Sequence, residues 1–481
     1  MSLQRSPANA IDWALFHDHG QGHLHAHWQD LTAEQRLDFE RQLVSIHPPL
    51  LSQLFEKDNS ANTTQASIEP PELLSLTAQP DDSLLLRYKQ IGEQALRQGE
   101  VAVLMVAGGQ GTRLGHHGPK GTFPIGPISG CSLFQLHAER LLALTRQFDR
   151  AIPLLIMTST ENDQATRSFW RAEDYFGLSP QHVHFFVQGM MPAVDAVTGQ
   201  VLLSGPGQIG LSPNGHGGVL RALADHGLLG VLCKQGIRHL FYFQVDNPLV
   251  AIADPAFVGA HIDRHSEMSV KVVEKVDPHE RIGLVVQRGG RCAVIEYTEL
   301  TKEMAAERTE QGKLRWRAGN TAIHCFDLAF LQKLAGGTTM LPFHRAHKIM
   351  PFWSLEKMAL ISPAQPNAYK FEMFIFDALP MAQRTLVMEC ERADEFEPLK
   401  NAEGEYSPAT VRAALSERWA RWLRKLGIAV PTDAQGCCVV PIEISPLFAT
   451  DPNELARCWP ADQKAVTGPV WLKREDQRLE F

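Results

Sequence analysis

The apolar residues Val101 to Val106 run without a polar break, and a polar, glycine-punctuated stretch follows at once. A short continuous apolar run of this kind predicts a strand covered on both faces. Ala151 to Met157 and His239 to Val245 repeat the pattern. Between them, Leu133 to Leu144 shows helical spacing, with Ser132 placed to cap its first turn. Strands alternating with helices from about residue 96 onward imply an α/β fold: a doubly wound, mostly parallel, Rossmann-like central sheet. The region before it, 1–95, reads as mostly helical. Thr32-Ala-Glu-Gln35 fits a capping box, and Leu37, Phe39, Leu43, Val44 and Ile46 follow as a candidate apolar face. Glu56 to Asp82 is polar and holds Pro70, Pro71 and Pro80, so it reads as a connector. Near the other end, Ser407 to Leu426 predicts a helix whose apolar set is Leu415, Trp419, Trp422 and Leu423. Those tryptophans read as core or interdomain packing.

Composition narrows the class. The chain has 481 residues, a length that suggests two to four domains, with 44% hydrophobic and 21% charged residues. A net charge of −8 and the lack of a long basic run argue against a nucleic-acid surface. The cysteines are scattered at 131, 233, 292, 325, 390, 437, 438 and 458, with no C-x-x-C pair to suggest a zinc site. The N-terminal stretch has no apolar signal core, and no apolar run is long enough to span a bilayer. These features predict a reduced, cytoplasmic enzyme with no membrane partner. His17, His19, His23, His25 and His27 crowd together and are expected to be a solvated surface rather than a metal site.

The loop after the first strand carries the chemistry. Gly108, Gly109, Gly111 and Gly115 leave room for a ligand to approach the backbone, and free N–H groups beyond a strand end favour phosphate. Arg113 and Lys120 add a fork and a point charge. The P-loop pattern fails because Lys120 follows Pro119. The dinucleotide fingerprint fails because Gly115 comes one residue late. In a doubly wound sheet, ligands sit beyond the carboxyl ends of the strands. Asp246, closing the strand His239 to Val245, then faces the same region. One carboxylate beside phosphates suits Mg²⁺, although an Asx turn would explain the residue too. Pro213-Asn-Gly-His-Gly-Gly218 is a second glycine-rich loop.

Val106 to Gly115, followed by Pro119-Lys120-Gly121, resembles the signature loop of the UDP-sugar pyrophosphorylases, particularly the eukaryotic-type UDP-N-acetylglucosamine pyrophosphorylases. Further segments resemble that family in the same order: Phe186-Val-Gln188, Pro213 to Gly218, Val245-Asp-Asn247, Val294-Ile-Glu296-Tyr297, Ala318-Gly-Asn320, Tyr369-Lys370-Phe371-Glu372, and Glu395-Phe-Glu-Pro-Leu-Lys400-Asn401. The resemblance runs from about residue 15 to about 455. Gly20-Gln21-Gly22-His23-Leu24 is similar to a segment of the family's helical N-terminal extension, which favours a structural role for the histidines.

The resemblance implies a nucleotidyltransferase-type catalytic domain at 96–380, after the helical region at 1–95. A small α/β lid-like domain is expected at 381–481. It implies that Ala107, Gly108, Gly109, Gln188 and Gly215 bind the nucleotide, Gln188 through uracil, and that His216, Glu296, Tyr297 and Asn320 meet the sugar. Arg113 and Lys120 would hold the β- and γ-phosphates. Lys370 and Lys400 would hold the attacking phosphate, and Asp246 would contact Mg²⁺. The reaction expected is attack of a sugar 1-phosphate on the α-phosphorus of UTP, with pyrophosphate leaving. Two positions depart from the acetylglucosamine pattern. His216 stands where that type has Asn and the UDP-glucose type has His, and Ile323 replaces the second Asn of Asn-x-x-Asn-His. The resemblance implies N-acetylglucosamine 1-phosphate as the sugar substrate, and these two departures keep UDP-glucose or broad specificity as the alternative. A non-catalytic sugar-nucleotide sensor is the other rival, against which Arg113 and Lys120 speak. The sequence leaves monomer or dimer open.

Overall fold

The computed structural model describes residues 11–56, 67–75, 82–337 and 341–473. The chain forms two units, each drawn from three separated segments. The first comprises Met1–Ala66, Gln188–Val219 and Leu341–Ile375, and the second Ser67–Val187, Leu220–Met340 and Phe376–Phe481. These units interleave along the chain, whereas the division expected from the sequence, at 1–95, 96–380 and 381–481, is consecutive. Hydrophobic periodicity reports the type of an element, whereas the core that the element joins is decided by contacts far apart in sequence.

The second unit is built on a sheet whose main strands are β1 (Val101–Val106), β2 (Leu154–Thr158), β3 (Val183–Val187), β4 (His239–Gln244), β5 (Met268–Glu274), β6 (Ala318–Asp327) and β7 (Thr385–Glu389). From one edge the order is Leu74–Ser75, β7, β5, β6, β4, β1, β2, β3. β6 is antiparallel to both its neighbours, and the remaining adjacent pairs are parallel. A hairpin, Leu284–Arg288 with Arg291–Ile295, pairs with β6 off this path. The mostly parallel α/β sheet is as predicted. Every residue from Val101 to Met105 is buried, so both faces of β1 are covered, as its unbroken apolar run requires. The expected connector differs in part. Ile68–Glu69 and Leu74–Ser75, within Glu56 to Asp82, add short strands to this sheet. The remainder of that stretch, at 57–66 and 76–81, lies outside the described residues.

Helices α1 (Asp82–Gln98), α2 (Leu133–Phe148), α3 (Pro255–Asp263) and α4 (Pro408–Lys425) belong to the same unit. Ser132 caps α2 by accepting from the Gln135 N–H at 3.0 Å. Ser407 caps α4 in the same way, with Pro408 at the first helical position. Leu415, Trp419, Trp422 and Leu423 of α4 share one core with Val101, Val103 and Met105 of β1 and with Leu133 and Phe134 of α2. Full burial of Leu415 or Leu423 contributes roughly 1.5–3 kcal/mol apiece. The helix α4 is thus continuous with the sheet's core.

In the first unit, short helices at Trp13–Asp18, Gly22–Asp30, Ala33–Leu43 and Pro48–Glu56 pack with short antiparallel strands. Phe343–Lys348, Ala368–Met373 and Val194–Asp195 form one of its sheets, in that order. The capping box at Thr32 and Gln35 is present. Of the apolar face expected there, Phe39, Leu43 and Ile46 are buried, but Leu37 and Val44 are exposed, because the helix stops at Leu43 and the face is narrower than the spacing suggested. The histidine tract is not simply a solvated surface. His27 is buried and accepts from the Gly207 N–H at 3.0 Å, while His23 Nε2 donates to the Val201 carbonyl at 2.9 Å. Gln21, also buried, donates to the Gly199 carbonyl and accepts from the Val201 N–H. These side chains tie the helices to the Gln188–Val219 segment. Among the described residues no His, Cys, Asp or Glu cluster could hold a metal by itself.

Candidate active site

The glycine loop leaves β1 at its carboxyl end. Ala107 is buried; its N–H donates to Met157 and its carbonyl accepts from Asn162 Nδ2. Asn162 also reaches the Gly109 carbonyl at 3.3 Å, and the Lys120 N–H donates to that same carbonyl at 3.0 Å. The carbonyls are therefore turned inward and satisfied. Among the described residues the N–H groups of Gly108 and Gly109 donate to nothing, which leaves them available to an anion. Arg113 is exposed and makes no ion pair among the described residues. Gly121 has a different purpose. A Cβ there would lie 2.1 Å from the Phe134 ring, so this glycine serves packing and not ligand approach.

Asp246 follows β4, the strand beside β1. Its carboxylate is 9% exposed, and both ammoniums meet at Oδ2: Lys120 at 3.1 Å and Lys400 at 2.7 Å. Burial by itself would raise its pKa, but the two lysines override this and hold the carboxyl at about 2. Asp246 is an anion at any working pH. Lys120 Nζ also donates to the Leu399 carbonyl at 3.3 Å. Lys120, Asp246 and Lys400, each expected at the site in a different role, thus meet within one unit.

The segment that delivers Lys400 is fastened beside Asp246. The Leu399 N–H donates to the Asp246 carbonyl at 2.7 Å. Asn247 donates to the Glu395 carbonyl at 2.7 Å and accepts from the Glu397 N–H at 3.2 Å. Glu395 pairs in turn with Lys271, which is 1% exposed and bonded to Asp254 at 2.8 Å as well. Sequence reasoning assigned no role to Asn162, Asn247 or Lys271. The only signals were an Asn next to an assigned residue and a Lys inside an apolar strand, MSVKVVE.

Other expected residues divide by unit. Glu296 and Tyr297 are exposed at the end of the second unit's hairpin. Asn320 sits at a bulge in β6, where Asn320 Oδ1 accepts from the Ala322 N–H at 3.0 Å. Ile323 is buried within the hydrophobic core, so its replacement of Asn is a packing feature and not a change in a sugar pocket. Gln188, Gly215, His216 and Lys370 belong to the first unit. Gln188 is 9% exposed. Gly215 has φ +80, and a Cβ on it would lie 2.4 Å from the Met373 carbonyl oxygen. His216 Nδ1 accepts from the Ile375 N–H at 3.2 Å, and its ring lies 5.4 Å from that of Phe374. Lys370 is half-buried on the strand Ala368–Met373.

The donor set suits a hard cation held jointly with a ligand. Asp246 offers one buried carboxylate whose Oδ1 accepts no hydrogen bond among the described residues. A lone carboxylate supplemented by phosphate and water oxygens is a common Mg²⁺ arrangement.

A glycine loop with open N–H groups, a buried carboxylate and two lysines at the carboxyl edge of a mostly parallel sheet suit a nucleotidyltransferase. The chain belongs to the UTP–glucose-1-phosphate uridylyltransferase family, whose model matches residues 49–414; it is a uridylyltransferase. It is 35% identical over 435 residues to the UDP-N-acetylglucosamine pyrophosphorylase of Saccharomyces cerevisiae, covering 86% of this chain and 91% of that protein. It is 34% identical to UDP-N-acetylglucosamine diphosphorylase 2 of Arabidopsis thaliana, covering 89% and 88% of the two chains. The crystal structure of the uridine diphosphate N-acetylglucosamine pyrophosphorylase from Trypanosoma brucei, in complex with inhibitor, matches with a TM-score of 0.82 at 25% identity, over 99% of this chain and all of that one. Among the described residues no helix is long and apolar enough to cross a membrane.

Proposed function

We propose that the protein joins UTP and N-acetylglucosamine 1-phosphate to give UDP-N-acetylglucosamine and pyrophosphate. The observation that carries the chemistry is the meeting of Lys120 and Lys400 on one Asp246 oxygen. An oxygen of the sugar phosphate attacks the α-phosphorus in line, forming one P–O bond while the α–β bridging P–O bond breaks. Two polyanions repel, so catalysis rests on positioning and charge neutralisation. When UTP arrives, Lys120 moves from Asp246 to its phosphates and stabilises the charge that grows on departing pyrophosphate. Arg113 supplies a second cation, and the Gly108 and Gly109 N–H groups hold the nucleotide's phosphate oxygens. Lys400 takes the attacking phosphate. The resemblance gives Lys370 the same duty and Gln188 the uracil. Mg²⁺, when bound, would neutralise and orient the triphosphate, and Asp246 would hold it.

Support for the acetylated sugar comes from the names of the similar proteins. The family description and His216 favour a second reading, glucose 1-phosphate. Pyrophosphorolysis separates the two. Purified protein with pyrophosphate and Mg²⁺ should convert UDP-N-acetylglucosamine to UTP far faster than UDP-glucose. The opposite order would establish the second reading.

A further inference from the structure

Outside the phosphate loop, the second unit contains a cavity of about 260 Å³ bounded by α1, α2, α4 and the loop from Val250 to Pro255. Two guanidiniums line it, Arg140 of α2 and Arg418 of α4. Each fixes the loop with a single N–H. Arg140 Nη1 donates to the Val250 carbonyl at 3.2 Å, and Arg418 Nη1 to the Leu249 carbonyl at 2.8 Å. An arginine has five N–H donors. Among the described residues neither side chain makes an ion pair, and Arg418 Nε is buried without a partner.

The carboxylates nearby are already engaged. Asp254 and Glu395 hold Lys271. Glu93 pairs with Arg97 at 2.9 Å, and Asp451 accepts from the N–H groups of Asn453 and Glu454. Glu139 accepts from Gln135 and Ser445. Two neighbouring cations thus line one cavity without an ion pair to either of them among the described residues; Glu395 attracts both from a distance, and Asp394, which attracts Arg418, is paired with Arg421 at 2.7 Å. Burial first, then Arg418, brings Arg140 down to about 9, and burial lowers Arg418 too, with Glu395 acting on both in the opposite direction. Uncompensated charge of this kind is costly unless something pairs with it.

We propose that this cavity binds a small phosphate-type oxyanion, held by the free N–H groups of Arg140 and Arg418. A tetrahedral oxyanion accepts paired N–H bonds from each fork. Trp419, Trp422 and Leu144 in the wall suit a ligand with an organic portion, so both free phosphate and a phosphate monoester fit the chemistry. The arginines hold the carbonyls of Leu249 and Val250, shortly after Asp246 in the chain. Occupancy therefore stabilises the loop that follows the catalytic carboxylate.

The test is calorimetric titration of inorganic phosphate into the full chain and into three variants. One variant, Lys120→Ala with Lys400→Ala, removes the two lysines that meet at Asp246. The others are Arg418→Gln and Arg140→Lys. Saturable binding with a dissociation constant at or below about 1 mM is expected. It should persist in the lysine variant, weaken at least about tenfold in Arg418→Gln, and weaken less in Arg140→Lys, which keeps the charge and loses the fork. Binding that vanishes in the lysine variant, or that is unchanged in both arginine variants, overturns the proposal. If Arg418→Gln fails to fold by circular dichroism, Arg140→Lys decides. Glycerol 2-phosphate is the second probe. Tighter binding than inorganic phosphate identifies a phosphate monoester as the ligand, and equal or weaker binding identifies free phosphate.

Discussion

Lys120 Nζ lies 3.1 Å from Asp246 Oδ2, although 126 residues separate them. The pair forms because β1 and β4 are adjacent and parallel, which brings the loops at their carboxyl ends together. The ion pair fixes the position of Lys120, and in the proposed mechanism an incoming phosphate replaces the carboxylate as its partner. Lys120→Ala should therefore leave folding intact and lower kcat by roughly 10²–10³, the cost of one donor aimed at developing negative charge. Steady-state kinetics checks it; near-normal turnover would remove Lys120 from the mechanism.

Acid should destabilise the protein in two stages. His137 is buried with Nε2–H donating to the Val245 carbonyl, and burial holds its pKa at about 3. A histidine kept neutral in this way supports the fold above its ordinary pKa of 6.5, and that support is lost as pH falls below it. Asp246 is depressed from 3.8 to about 2, so its contribution, roughly 2 kcal/mol, is present above pH 4 and lost between about 4 and 2. His239, lowered to about 4 by burial, adds to the first stage. The melting temperature should fall from about pH 6.5 downward. His137→Gln, which keeps a donor but cannot titrate, should flatten the slope above pH 4; an unchanged slope would place the loss elsewhere.

Asn247 fixes the segment that carries Lys400 through the Glu395 carbonyl and the Glu397 N–H. Asn247→Ala should cost about 1–3 kcal/mol, since buried groups lose their partners. Turnover should fall along with it and the KM for the sugar phosphate should rise, because Lys400 is no longer held beside Asp246. Urea unfolding with parallel kinetics separates the two effects. A stability loss without any kinetic change would limit Asn247 to the scaffold.

Two glycines of the same loop should behave oppositely. A Cβ on Gly121 meets the Phe134 ring at 2.1 Å, whereas one on Gly109 meets nothing within 4 Å. Gly121→Ala should destabilise by about 1–3 kcal/mol through overpacking. Gly109→Ala should fold normally and lose activity, because the methyl group occupies the approach to the N–H groups proposed to hold the nucleotide's phosphates. Thermal melts and initial rates distinguish the outcomes.

These comparisons mark what the sequence makes legible. The run Val101 to Val106, the caps at Thr32 and Ser132 and the helix that follows Ser407 were readable, because apolar period and capping chemistry are written locally. Asn162, Asn247 and Lys271 were not, since an ordinary Asn or Lys gains its meaning only from distant carbonyls and carboxylates. Ile323 looked like a sugar-pocket change until its burial placed it in the core. The division into two interleaved units was invisible for the same reason: Val187 ends a strand of one unit and Gln188 begins a segment of the other, with no signal in composition.

The most direct measurement of the central claim is pyrophosphate release from UTP and Mg²⁺ by the purified protein. The sugars would be the 1-phosphates of N-acetylglucosamine, N-acetylgalactosamine, glucose and galactose, with no-sugar and EDTA controls. EDTA-sensitive release that is fastest with N-acetylglucosamine 1-phosphate is predicted. No release above the no-sugar control with any of the four would contradict the account.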